Sequence, residues 1–143
     1  MIMECQKTTL DNGLRILTAA MPHTRSVSVG FYLGVGSRYE TNAEEGASHF
    51  IEHMLFKGTE RRPTPAAIAT EIEGRGGLFN GHTGREMTHY WAKVAQPHLD
   101  VALDVLTDML CHALFAPQEM EREQRIIIEE MSMTLDQPDS LVS

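Results

Sequence analysis

Cysteine is scarce in this sequence, and the two present, Cys5 and Cys111, stand far apart in neither a CxxC pair nor a dense framework. A disulfide scaffold is therefore excluded, and both read as free thiols, a pattern that suits a reducing compartment. Basic residues are also in deficit, 12 Lys and Arg against 20 Asp and Glu, which leaves a net charge of −8. That balance argues against a nucleic-acid or anionic-membrane surface and favours basic partners. No run approaches ~18 consecutive apolar residues, so no membrane span is expected. The opening residues, MIMECQKTTLDNG, carry acidic and polar groups where a signal peptide needs an apolar run, so the expected location is cytoplasmic. Internal repeats and low-complexity tracts are missing too. What remains is 143 residues at 42% hydrophobic content, enough for one compact domain with a real core. The final residues, DQPDSLVS, follow a helical pattern with no further strands, which reads as an internal point of a longer protein.

Along the chain, residues 8–20 place Asp11-Asn12-Gly13 between short β-prone runs, a hairpin signal. SVSVGFYLGVGSRYE then alternates Val27, Val29, Phe31, Leu33 and Val35 against small or polar neighbours, which predicts a strand with one apolar face. Periodicity turns helical in GASHFIEHMLFKGT, starting near Gly46, with Phe50, Met54 and Leu55 on a buried stripe and Gly58 as the terminator. A second helix is predicted after Thr64 as cap and Pro65 at the first helical position, ending in the Gly74–Gly77 region. LFNGHTGREMTHYWAKVA reads as one long strand or a hairpin bent near Gly84. Val101, Leu103, Val105, Leu106, Met109 and Leu110 then mark a third helix, with Cys111 on its apolar face and expected buried and inert. Pro117 opens a charged fourth helix with an apolar centre at Ile126 to Ile128. The order of elements predicts an α+β fold, helices packed on a mostly antiparallel sheet.

The chemistry sits in His49-Phe50-Ile51-Glu52-His53. Residues four apart on a helix share a face, so both imidazoles can reach one cation, while Glu52 can point at the same place without being a ligand. A zinc ion there needs a third protein ligand and an open position for water, whose pKa it lowers to ~7. A neighbouring carboxylate can take the water's proton and later pass it to a leaving amine. The HxxEH order inverts the HExxH of other zinc peptidases and is the inverzincin signature.

The surrounding motifs extend that signature. GVGSRYET, GASHFIEHMLFKGT, GGLFNGHTGREMTHYWAKV and EREQRIIIEEM occur in that order, and with them nearly the whole chain resembles the pitrilysin, insulysin and mitochondrial processing peptidase family of zinc metallopeptidases. The resemblance implies a zinc-dependent endopeptidase acting on extended oligopeptides or presequence-like segments, with Glu52 as base. It further implies a glutamate ligand at the distance of Glu130, with 76 residues lying between it and His53. Spacing does not separate Glu130 from Glu129; aligning IIIEEM with the family pattern assigns Glu130. Glu123, two helical turns earlier, then faces the same site and takes a supporting role, orienting a histidine or assisting proton transfer. The segment from Phe79 to Tyr90 resembles the family's edge strand, which captures substrate as an added strand, so Asn80, Gly81 and His82 are the expected substrate contacts. The family usually has Ala after this Asn, and Gly81 is expected to loosen the strand. The same likeness implies a second peptidase domain or partner subunit that closes over the substrate, making residues 1–143 the N-terminal catalytic part of a longer peptidase. Two other readings compete. One is a non-catalytic homologue serving assembly, which typically loses the metal residues kept here. The other is an S-ribosylhomocysteine lyase, which needs cysteines that Cys5 and Cys111 are poorly placed to supply.

Overall fold

The computed structural model describes residues 4–135; the terminal run 136–143, read above as an internal boundary, and residues 1–3 lie outside the described residues. Among the described residues, five strands and four α-helices follow in the order β1 (Cys5–Thr9), β2 (Arg15–Ala19), β3 (Ser26–Leu33), α1 (Ala47–Leu55), α2 (Pro65–Glu73), β4 (Leu78–Thr83), β5 (Thr88–Ala95), α3 (Leu99–His112) and α4 (Pro117–Leu135). All strand pairs are antiparallel, in a two-stranded sheet β1-β2 and a three-stranded sheet β3-β5-β4, so the α+β expectation holds.

The Asn12-Gly13 hairpin forms as its sequence dictates, with the Asn12 side chain accepting the Leu14 amide proton at 3.1 Å. All ten strand residues of this hairpin are exposed, Leu17 at 73%. The segment from Leu78 to Ala95 is a hairpin rather than one strand: β4 and β5 pair from Leu78↔Lys93 to Thr83↔Thr88 around a turn at 84–87. β3 alternates as predicted but stops at Leu33, which leaves Val35 beyond the sheet and 46% exposed.

Helices cover one face of the three-stranded sheet. The core joins Leu55 of α1, Ile68 and Ile72 of α2, Tyr90, Ala92 and Val94 of β5, and Ala102, Val105, Leu106 and Met109 of α3. Positions 102, 105, 106 and 109 are the i, i+3, i+4, i+7 stripe of α3, so Leu103 falls off it and is 37% exposed. Cys111 is likewise exposed, which corrects its expected burial; both cysteines are free. In α4 only Ile127 of the Ile126–Ile128 run is buried, and Ile128 is 63% exposed. Thr64 caps α2 by accepting the Ala67 amide at 3.1 Å, with Pro65 at the first turn.

An ionic network fastens the loop before α2 to α3. Arg62 donates to Asp108 at 2.7 Å and to Asp104 at 2.5 Å, Arg61 grips both Asp104 oxygens at 2.7 and 2.9 Å, and Thr59 donates to Asp108 at 2.6 Å. Hydrogen bonds from Arg61 and then Arg62 hold the Asp104 carboxyl down to about 2. A carboxyl depressed in the folded state stabilises above its unfolded pKa and loses that contribution as pH falls through the folded value. Stability should therefore fall as pH drops from about 4 toward 2. Urea unfolding followed by circular dichroism at stepped pH should show this slope, and Asp104→Asn should make it shallower.

Candidate metal centre

Helix α1 carries the HxxEH residues, and three neighbours fix its place. Its N-terminus begins at Gly46, whose φ of 84° is a left-handed conformation that a side chain would strain. There Glu40 reaches back and accepts the Gly46 and Ser48 amide protons at 2.8 and 2.7 Å. These are donors that a helix start leaves unpaired, and a carboxylate complements the positive end of the helix dipole. Hydrogen bonding from Ser48 first, and then from Gly46, holds the Glu40 carboxyl below the ordinary glutamate range. Downstream, α1 ends at Leu55 rather than at Gly58, and its flanks pack on β4 and α4.

The His49 and His53 Nε2 atoms stand 3.1 Å apart. From α4, Glu130 Oε2 lies 4.0 Å from His49 Nε2 and 3.9 Å from His53 Nε2. Metal–ligand bonds of ~2.0–2.1 Å at tetrahedral angles set ligand atoms about 3.3–3.4 Å apart, a span that lies between the His–His and the His–Glu130 distances. His49, His53 and Glu130 form the group among the described residues able to hold a metal ion. Glu129, which spacing left level with Glu130, is exposed and outside that group. All three donors are accessible: His49 and Glu130 side chains are 38% and 49% exposed, His53 22%.

Glu123 is the buried member of the site, at 1% exposure. Its Oε2 lies 3.0 Å from His53 Nδ1, the ring atom facing away from the other donors, and its Oε1 lies 2.5 Å from Lys57 Nζ. Burial pushes the Glu123 carboxyl up, but the hydrogen bonds from Lys57 and His53 outweigh it and keep the group below the ordinary range. Glu123, Ile127 and Glu130 follow at i, i+4 and i+7, so one stripe of α4 faces α1. No sequence pattern marks Lys57; only the fold shows that the residue after Phe56 turns toward α4.

Glu52 points toward β4, where the Thr83 hydroxyl donates to its Oε2 at 2.5 Å. Gly81, two residues earlier on the same face, leaves room for this carboxylate: a Cβ there would sit 3.1 Å from both Cγ and Oε1 of Glu52 and 3.0 Å from the Phe56 ring. The pairing of β4 with β5 runs unbroken through Gly81↔Tyr90, so the glycine admits α1 without interrupting the ladder. Asn80 and His82 alternate to the other, exposed face; the Asn80 side chain accepts the Gly81 amide at 2.9 Å, and His82 meets His89 edge-on across the strands. Their side chains thus lie on the opposite face of the strand from Gly81 and Thr83, which meet Glu52. Tyr90 is buried beneath Glu52; burial first, and then the Glu52 charge, pushes its phenol well above the usual range.

Comparison with known proteins adds four findings. The profile of the insulinase family, peptidase family M16, matches residues 15–143. The chain is 45% identical over 133 residues to an uncharacterized zinc protease of Rickettsia felis, covering 93% of this chain and 32% of that protein. It is 43% identical over 139 residues to a probable mitochondrial-processing peptidase subunit beta of Arabidopsis thaliana, covering 97% of this chain and 26% of that protein. The crystal structure of a Helicobacter pylori protease superposes with a TM-score of 0.91 at 25% identity, over 99% of this chain and 34% of that one. The chain therefore spans about a third or less of the proteins it matches.

Lys57 and Glu123 give a direct test of how the site is built. Lys57→Met would leave a nearly inaccessible carboxylate without its cation, and because the Lys57 side chain keeps 26% exposure the expected loss is at the lower end for such pairs, about 3 kcal/mol. The urea midpoint should drop accordingly, and Lys57→Arg should recover most of it.

Proposed function

Because the chain belongs to the insulinase family of peptidases, M16, we propose that it is the N-terminal catalytic part of a zinc-dependent endopeptidase. The observation that carries this reading is the convergence of two imidazoles from α1 and one carboxylate from α4 within 3.1 to 4.0 Å of one another, with Glu52 on the same helix as the imidazoles. His49, His53 and Glu130 would hold one zinc ion and leave a position for water. When bound, zinc supplies an acidified water and polarises the carbonyl under attack.

The chain's own residues do the rest. Glu123 accepts a hydrogen bond from His53 Nδ1, which fixes the tautomer that leaves Nε2 free to bind metal. Lys57 keeps Glu123 charged for that task. Glu52 takes the water's proton at a carboxylate oxygen as the water oxygen joins the carbonyl carbon. It then returns that proton to the nitrogen as the C–N bond breaks, so one water is consumed per peptide bond cut.

Substrate is an extended peptide. In the order β3-β5-β4, strand β4 is a sheet edge among the described residues, so its outer backbone groups can receive an added strand. Asn80, Gly81 and His82 would make those contacts, largely through the backbone, and the net charge of −8 favours basic segments. Further polypeptide, a second domain or a partner subunit, would close over the bound peptide, in keeping with the fraction of the relatives' length seen here. The free thiols suit a reducing compartment such as the cytoplasm, and among the described residues no helix is long and apolar enough to cross a membrane. A lyase using a cysteine ligand is disfavoured, since neither Cys5 nor Cys111 joins the histidines.

Elemental analysis and cleavage of a quenched-fluorescent peptide library test the reading together. Glu52→Gln should keep stoichiometric zinc and lower kcat by at least about 10²-fold. His49→Ala and Glu130→Ala should lose the metal itself. A Glu52→Gln enzyme with full turnover would refute the base assignment, and a chain that takes up no zinc from excess zinc in solution would refute the ligand set.

A further inference from the structure

We infer that Thr83 is the positioning residue for Glu52: its hydroxyl anchors one carboxylate oxygen, Oε2, and leaves the other, Oε1, to meet the attacking water. The inference rests on the peptidase reading above and adds a residue that the HxxEH pattern does not contain. Thr83 Oγ1 lies 2.5 Å from Glu52 Oε2. The direction of that bond follows from proton counting. An ionised carboxylate only accepts, and a hydroxyl has one proton to give. The directly opposite Thr88, 2% exposed, sends its own hydroxyl proton to the Val35 carbonyl at 3.1 Å and lies 3.5 Å from Thr83 Oγ1, so Thr83 is left to donate to Glu52.

The two oxygens of Glu52 thus have unlike surroundings. Oε2 carries the Thr83 hydrogen bond, and Oε1 faces Gly81, where β4 has no side chain to cover it. A glutamate has three side-chain torsions, and a carboxylate tied at one oxygen loses most of that freedom. The remaining oxygen is then presented in a fixed direction, which is what a base needs if its proton transfer is not to wait on a rotamer search. Thr83 and Gly81 both lie on the strand proposed to receive the peptide, so one rigid element sets the place of substrate and the aim of the base together.

Full-length protein loaded with zinc is the material for the test, as wild type, Thr83→Val and Thr83→Ser. Valine keeps the branched shape and strand preference while removing the hydroxyl, and serine keeps the hydroxyl. Thr83→Val should lower kcat by about 10- to 100-fold, as expected for a misaimed group. KM should stay within about threefold and zinc content should not change, while Thr83→Ser should keep kcat within about threefold of wild type. A second measurement needs no turnover: with glutamate 13C-labelled at Cδ in the metal-free protein, the Glu52 resonance, identified by its loss in Glu52→Gln, should shift in Thr83→Val and stay in place in Thr83→Ser. Thr83→Val with wild-type kcat, or an unmoved Glu52 resonance, overturns the inference, as does Thr83→Ser failing as badly as Thr83→Val. If wild type binds zinc and cleaves nothing, the peptidase reading falls, and the carbon resonance alone decides whether Thr83 holds Glu52.

Discussion

A carboxylate at 1% exposure cannot stay ionised unless cations or donors surround it, and Glu123 has both: Lys57 on one oxygen and His53 on the other. This three-membered contact is the joint on which the site depends. It draws α4 onto α1, and once that helix is docked, Ile127 and Glu130 follow at fixed intervals on the same stripe. Without it, His49 and His53 would remain a pair on one helix, with no third group brought within reach. Lys57 follows His53 by four positions, just past the end of α1 at Leu55, so the attachment point for the partner helix sits next to the part of α1 that carries the donors.

The opposite flank of α1 is fixed by the sheet. Glu40 closes the helix N-terminus from the loop after β3, and β4 meets the Glu52 side chain through Gly81 and Thr83. Helix α1 is therefore clamped at its start, along the Glu52 flank and along the His53 flank by three different parts of the chain. Chemistry that depends on tenths of an ångström is better served by such a clamp than by a loop, because strand and helix backbones yield little. The ionic network of Arg61, Arg62, Asp104 and Asp108 acts further off, keeping the α1–α2 connection seated on α3.

Much of this was legible in the sequence wherever the signal is local. Helix starts at Gly46, Thr64 and Pro117, the Asn12-Gly13 turn and the alternation of β3 are each written in neighbouring residues, and each formed. HxxEH spacing likewise brought His49 and His53 together, since a helix fixes i and i+4. What the sequence concealed depends on which face meets which. Leu103 and Ile128 belong to apolar runs, yet the stripe that finds the core passes beside them. Cys111 has apolar neighbours but sits near the end of α3 where nothing covers it among the described residues. Lys57 and Thr83 looked like an ordinary surface lysine and strand threonine, because their partners lie 66 and 31 positions away and no periodicity announces so distant a contact.

Sequence separation also orders events in time. His49 and His53 leave the ribosome as near neighbours, but Glu123 meets His53 across 70 positions, and Glu130 lies later still. Closing so long a loop costs entropy that is recovered only when α4 docks, so the third donor joins the two imidazoles only with that docking. Two imidazoles on a nascent helix make a weak and incomplete ligand set. The assembled donor cluster is thus a signature of a completed chain segment, and a growing polypeptide acquires it only at the step that also buries Glu123.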